Sequence, residues 1–115
     1  MADVLVDTDI FVDHLRGATE FHPKAHRAHY SAITRAELFA GSSATEAVSR
    51  LLAPFREIPV DRTVAERAGR IQREHAIGIA DALIAATALE HGLGLVTRNR
   101  RHFGSVRGLR IRAIR

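Results

Sequence analysis

Short apolar runs alternate with amphipathic stretches along this chain, and the alternation predicts strands and helices in turn. Residues 3–7, Asp-Val-Leu-Val-Asp, form a compact apolar run closed by an acid, the pattern of a buried strand. Positions Ile10 to Leu15 carry helical spacing that stops at Gly17, a natural helix end. Ala18 to His29 is polar and rich in histidine, and reads as loop or as a short helix opening at Pro23. Residues 30–33, Tyr-Ser-Ala-Ile, predict a second strand. Helices are expected from Arg35 to about Gly41 and from Ala44 to Leu52. Pro54 and Pro59 bracket a short extended piece containing Ile58. Thr63 and Glu66 match a capping box, and Val64, Ala68 and Ile71 form one apolar stripe behind it. Gly78 breaks the chain. Ala80 to His91 is apolar almost all round, the mark of a buried helix, and Gly92 and Gly94 close it. Residues 93–97 then read as a strand, residues 98–103 as a turn with a short helical piece, and residues 109–114 as an alternating edge strand.

Strands and helices in alternation favour an α/β layer architecture with a mainly parallel sheet. A length of 115 residues suits a single domain spanning 1–115, and 46% hydrophobic residues suffice for a core. The longest apolar stretch, Ile77 to Leu89, carries Asp81 and is too short to cross a membrane. The N-terminus lacks the basic region of a signal peptide, and there is no cysteine for disulfides or thiolate metal sites. The expected placement is cytoplasmic, with no membrane association. The formal charge is +4, and Lys24 is the only lysine among 17 basic residues. Arginine makes planar, bidentate contacts with phosphate, and a basic surface attracts polyanions. A GC-rich genome yields the same bias, so composition admits nucleic acid without requiring it. Aromatic residues are only 5%, with no tryptophan, which argues against base stacking on an aromatic platform and for shape and phosphate contacts.

In parallel sheets the active site lies beyond the carboxyl ends of the strands. Asp7 and Asp9 follow the first expected strand, Glu37 the second, and Asn99 the fourth, after Thr97; Asp81 opens the buried helix. Carboxylates crowded together repel one another unless a cation sits among them. Oxygen-only ligands suit a hard ion, Mg²⁺ or Mn²⁺, which can activate water and stabilise charge on a phosphodiester. Each acid also has a purely structural reading. Asp7 and Asp81 could be helix caps, and Thr34 with Glu37 matches a capping box. Their joint occurrence is harder to explain that way, because Asp81 opens the most apolar helix, where a buried charge needs a partner. Arg98, Arg100 and Arg101 flank Asn99 and fit either the backbone of a bound RNA or a solvated basic turn. His22, His26 and His29 read as surface histidines rather than a metal site.

Four segments, residues 4–17, 31–41, 79–103 and 108–111, together resemble the successive motifs of the VapC family of PIN-domain toxins, in order and at the right spacing over nearly the whole chain. The resemblance implies a PIN domain with a Rossmann-like α/β/α core. It implies a Mg²⁺- or Mn²⁺-dependent endoribonuclease that cuts transfer or ribosomal RNA, is usually a homodimer, and is silenced by a VapB-type antitoxin. By position, Asp7, Glu37 and Asp81 match the family's three invariant acids. Asn99 stands where many relatives carry a fourth acid, and His102 where aspartate is frequent before the phenylalanine. That leaves the occupancy of a second metal open. Asp9 falls where relatives often have serine, asparagine or cysteine and offers an extra metal-facing oxygen, and Thr97 a hydrogen bond to a metal-bound water.

The reading that unites these features is hydrolysis of RNA by metal-activated water, with Asp7, Glu37 and Asp81 holding the ion and Asp9 and Asn99 assisting. One rival is a PIN fold that binds RNA or an antitoxin and cuts weakly or not at all. Another is a small Rossmann-like phosphohydrolase, which needs a phosphate-binding lysine that Lys24 is badly placed to provide.

Overall fold

The computed structural model describes residues 2–17 and 26–112. In chain order the elements are β1 (Ala2–Val6), α1 (Thr8–Leu15), β2 (His26–Ser31), α2 (Ala32–Ala40), α3 (Thr45–Leu52), β3 (Arg56–Ile58), α4 (Arg62–Glu74), α5 (Ile79–Glu90), β4 (Gly94–Val96), α6 (Arg100–Phe103) and β5 (Ile111–Arg112). The strands form one five-stranded sheet in the order β3-β2-β1-β4-β5. Every pairing is parallel, so the sheet is wholly rather than mainly parallel. The chain builds outward from β1 through β2 to β3, then returns to the other side of β1 for β4 and β5. The strand order therefore reverses beside β1, and the crevice at that point opens between the ends of β1 and β4.

Period-2 alternation along the strands supplies two separate cores. Leu5 and Leu95 face one side, where they meet Val64, Ala68 and Ile71 of α4, the buried alanines of α5, and Phe103 of α6. Val4, Val6 and Val96 face the other, with Ala28 and Tyr30 of β2, and pack under Ile10 and Phe11, Leu38, and Val48 with Leu52. The result is an α/β/α sandwich with α1, α2 and α3 on one face and α4 and α5 on the other. Phe11 meets Tyr30 edge-on, with ring centroids 6.0 Å apart. Such a pair adds about 0.5–1.5 kcal/mol beyond area burial and pins α1 over β2. Positive φ at Gly17 (72°) and Gly92 (65°) ends α1 and α5 where glycine was expected to do so.

The second strand starts earlier than its apolar residues suggest. It covers His26–Ser31, inside the stretch read as loop, and α2 begins at Ala32 rather than Arg35. Ala28 and Tyr30 are the buried apolar residues described along β2, and polar neighbours hide that alternation. One of them, Arg27, is held by Asp3 of β1 at 2.8 Å. Met1, residues 18–25, including His22 and Pro23, and residues 113–115, part of which was read as strand from sequence, lie outside the described residues.

Helix capping also differs. Ser31 caps α2 by accepting from Ile33 N–H at 3.1 Å, which removes Thr34 and Glu37 from that role. Asp61 caps α4, accepting from Val64 N–H at 2.9 Å, so Thr63 lies inside the helix. Gly78 precedes α5, and Asp81 sits within its first turn. The contrast at α4 is testable by urea denaturation. Asp61→Ala should cost about 1 kcal/mol, the usual worth of an N-cap side chain. Thr63→Ala should change stability by less than about 0.5 kcal/mol, as for an exposed helical position. A larger loss at Thr63 than at Asp61 would contradict this assignment.

Candidate active site

The site forms where β1 and β4 end. Asp7 follows β1 directly, and its backbone N–H donates to the Val96 carbonyl at 2.9 Å, tying the two strand ends together. The residue is only 4% exposed. Oδ1 accepts from Thr8 N–H at 2.8 Å, so Asp7 does cap α1; Oδ2 accepts from the Thr97 hydroxyl at 2.8 Å. Capping and site membership are thus one placement. The same Thr97 oxygen accepts from Asn99 N–H at 2.9 Å. Thr97 is buried and its proton is committed to Asp7, so it orients a carboxylate instead of serving a metal-bound water.

Asp9 stands in the first turn of α1. Its Oδ2 accepts from Arg98 N–H at 3.1 Å and lies 3.4 Å from the Thr97 hydroxyl. Its Oδ1 is buried and accepts nothing. Glu37 projects from α2, and its Oε1 accepts from the Thr8 hydroxyl at 2.7 Å. Thr8 Oγ also lies 3.0 Å from Thr34 Oγ. A hydroxyl has one proton, so Thr8 gives it to Glu37 and accepts from buried Thr34. Asp81 approaches from α5 with its Oδ2 3.2 Å from His102 Nδ1.

These side chains share one open cleft of about 240 Å³, lined by Asp7, Thr8, Asp9, Val12, Glu37, Asp81, Arg98 and Asn99. Every acid singled out from the sequence, and Asn99, is therefore brought together. Of the three arginines, Arg98 lines the cleft, whereas Arg100 and Arg101 are exposed on α6. Two contributors were missed. Thr8 aims Glu37, and its position next to Asp7 at a helix start was the available signal. Asp13, buried on α1, accepts an ion pair from Arg98 Nη1 at 3.2 Å. Its signal was the four-residue spacing from Asp9, which stacks two acids on one helix face.

A PIN-domain family model matches residues 4–109. Ribonuclease VapC10 of Mycobacterium tuberculosis is 41% identical over 113 aligned residues, which cover 87% of this chain and 85% of that protein. The chain belongs to the PIN-domain family, among the VapC proteins. Ribonuclease VapC19 of the same organism is 35% identical, with 86% of this chain and 90% of that one covered. Among solved structures, a DNA-bound VapBC from Salmonella typhimurium superposes with a TM-score of 0.84 at 27% identity, covering 98% of each chain. A toxin–antitoxin complex from Klebsiella pneumoniae gives 0.76, also at 27% identity, covering 92% of this chain and 94% of that one.

Burial and crowding set the electrostatics of this PIN domain. Burial, with Asp9 and then Asp81 nearby, pushes the Asp7 carboxyl from 3.8 to about 7, against the pull of its two hydrogen bonds. Asp9 is also raised by burial, opposed by the N–H and charge of Arg98 and by Thr97, and raised further by Asp13. As the side chains stand, no group of three acids or histidines among the described residues is arranged to hold a metal ion. Glu37 is turned to Thr8 and Asp81 to His102. Both are accessible enough to rotate, whereas Asp7 and Asp9 are fixed by the strand ends. The donor set fits a hard divalent cation nonetheless. It is all oxygen, it carries an unpartnered buried carboxylate oxygen at Asp9, and its central acid resists ionising without a counter-charge.

A pH dependence follows. Between 3.8 and about 7 the folded protein holds a proton on Asp7 that the unfolded chain releases. Stability without divalent cation should fall as pH rises through that window. Asp7→Asn keeps an acceptor for Thr8 and abolishes the titration, so its melting temperature in EDTA should be flatter with pH and higher than the parent's at about pH 8. Parallel melting curves for the two proteins against pH would show that Asp7 does not carry the effect.

Proposed function

We propose that this chain is the endoribonuclease toxin of a VapBC-type pair, hydrolysing RNA phosphodiesters at the cleft between β1 and β4. One observation carries the reading: carboxylates from α1, α2 and α5 meet in a single cleft with Arg98 at its rim. Asp7, Asp9, Glu37 and Asp81, with the Asn99 oxygen, would hold Mg²⁺ or Mn²⁺. Such an ion supplies a more acidic water and stabilises charge on the phosphodiester. The chain's own groups do the positioning. Thr8 N–H and Thr97 fix both oxygens of Asp7, and the Thr8 hydroxyl aims Glu37. Arg98 offers guanidinium N–H groups at the cleft edge, and Arg100 and Arg101 add positive charge beside it, suited to the RNA backbone. A transfer or ribosomal RNA substrate, a homodimer, a cytoplasmic setting and silencing by a VapB-type antitoxin belong to the same proposal and rest on family membership.

Incubation with total cellular RNA should give cleavage with Mg²⁺ or Mn²⁺ and none with EDTA. Asp7→Asn, Glu37→Gln and Asp81→Asn should each lower the rate by at least roughly 100-fold in a folded protein, more than loss of an outer-shell partner costs. Millimolar Mn²⁺ should raise the parent's melting temperature, since it binds only the folded site. Full activity in folded Asp81→Asn would overturn the assignment, and binding of RNA without cleavage by the parent would favour the non-cutting rival.

Asn99 should tune metal affinity without being essential. Asn99→Asp adds a charge to the cleft and should lower the Mn²⁺ concentration for half-maximal cleavage; Asn99→Ala, which removes the oxygen, should raise it. Coincident titrations for the three proteins at fixed ionic strength would show that Asn99 does not face the ion.

A further inference from the structure

Arg98 is attached to α1 twice. Its backbone N–H donates to Asp9 at 3.1 Å, and its guanidinium Nη1 meets Asp13 Oδ1 at 3.2 Å. The pair is lopsided: the Asp13 side chain is 11% exposed and that of Arg98 63%. A buried carboxylate therefore holds one edge of an exposed guanidinium that lines the cleft. A free arginine on the surface samples many rotamers and loses that freedom on binding. One secured at Nη1 does not, and a guanidinium has five N–H donors, most of them still available.

We infer that Asp13 is a positioning residue, which holds the Arg98 guanidinium at the cleft rim so that its remaining N–H groups meet a phosphate of the bound RNA. The inference rests on the nuclease reading for the identity of the ligand. Its geometric content is independent of metal and of cleavage.

Two effects of removing the Asp13 charge oppose each other, which makes the sign of the outcome decisive. Asp13→Asn makes the protein more positive by one charge beside the cleft. Charge alone then predicts tighter RNA binding. Loss of positioning predicts weaker binding. The test is anisotropy of a fluorescein-labelled oligouridylate in EDTA, where nothing is cut, across a NaCl series. Arg98→Ala should weaken binding roughly tenfold and reduce the salt slope by about one, as for one lost phosphate contact. Asp13→Asn should weaken it roughly three- to fivefold, the upper range for an exposed ion pair. Asp13→Glu should recover part of the loss. The double variant Asp13→Asn with Arg98→Ala should bind no more weakly than Arg98→Ala alone, because both changes remove one contact.

Tighter or unchanged binding by Asp13→Asn, additive losses in the double variant, or an Arg98→Ala protein that binds normally would each overturn the proposal. If Asp13→Asn does not fold, the parent decides by nuclear magnetic resonance. Slowly exchanging Arg98 guanidinium N–H signals that shift on adding the oligouridylate are expected; rapidly averaged signals indifferent to it would overturn the proposal. Binding that follows this pattern in a protein that cuts no RNA under Mg²⁺ or Mn²⁺ would leave the positioning role standing and fail the nuclease reading alone.

Discussion

Asp7 is the group on which the site depends, because it is charged chemistry placed where water is scarce. Its backbone joins β1 to β4 through the Val96 carbonyl, and its side chain is buried beside Asp9. Two donors, Thr8 N–H and the Thr97 hydroxyl, offset part of the cost, yet the carboxyl still holds its proton to about pH 7. That imbalance is one that a bound cation would relieve, and a cation that did so would stabilise the fold. The neighbouring groups answer the same problem. Arg98 lowers the repulsion on Asp9, and His102 sits against Asp81. Removing acids would relieve the strain and abolish the receptor, the usual opposition between stability and activity.

The sandwich makes that placement rigid. The acids arise from α1, α2 and α5, which belong to two different helical layers, so only the strand ends can bring them into register. β1 is central and flanked on both sides, which fixes Asp7 in depth. Phe11 against Tyr30 sets α1 over β2, and the buried alanines of α5 let it pack tightly against α4 and the sheet. Small side chains along α5 thus do more than fill space: they keep its first turn, and Asp81, in place at the sheet's end. Glu37 and Asp81 are more accessible and each is held by one side-chain contact, whereas Asp7 and Asp9 are also held by backbone N–H groups. A fixed half and an adjustable half would suit the proposed site, which would admit both an ion and a phosphate.

Much of this was legible from residue order because each signal was local and repeated. The buried strand 3–7, the apolar helix near 80–91 and the acids after strands all appear where expected. What failed was local in a different way. β2 carries Arg27 and His29 on either side of buried Ala28, and their polarity masks a two-residue period that only pairing with β1 reveals. Thr34 and Thr63 match capping boxes in sequence, yet Ser31 and Asp61 lie nearer the true helix starts and take the bonds. Asp13 was missed for a third reason. Its four-residue spacing from Asp9 marks a shared helix face, but an acid inside an amphipathic helix looks solvated until Arg98, 85 positions onward, is folded against it.

In the proposed reading a basic protein with an acidic cleft faces a contradiction, since the field that would draw RNA in is reversed at the place where RNA would react. The excess positive charge acts at long range and sets encounter. Inside the cleft, Asp7, Asp9, Glu37 and Asp81 repel a phosphate at short range unless a cation is bound. If an ion binds there as proposed, binding of the ion and binding of the phosphate would be mutually favourable, because each reduces the cost of the other. By linkage the ion would then raise RNA affinity by the same factor as RNA raises ion affinity. Arg98 stands at the boundary between the two regimes, with a backbone amide given to the acids and a guanidinium facing solvent. Its attachment to Asp13 holds that guanidinium at the rim of the cleft.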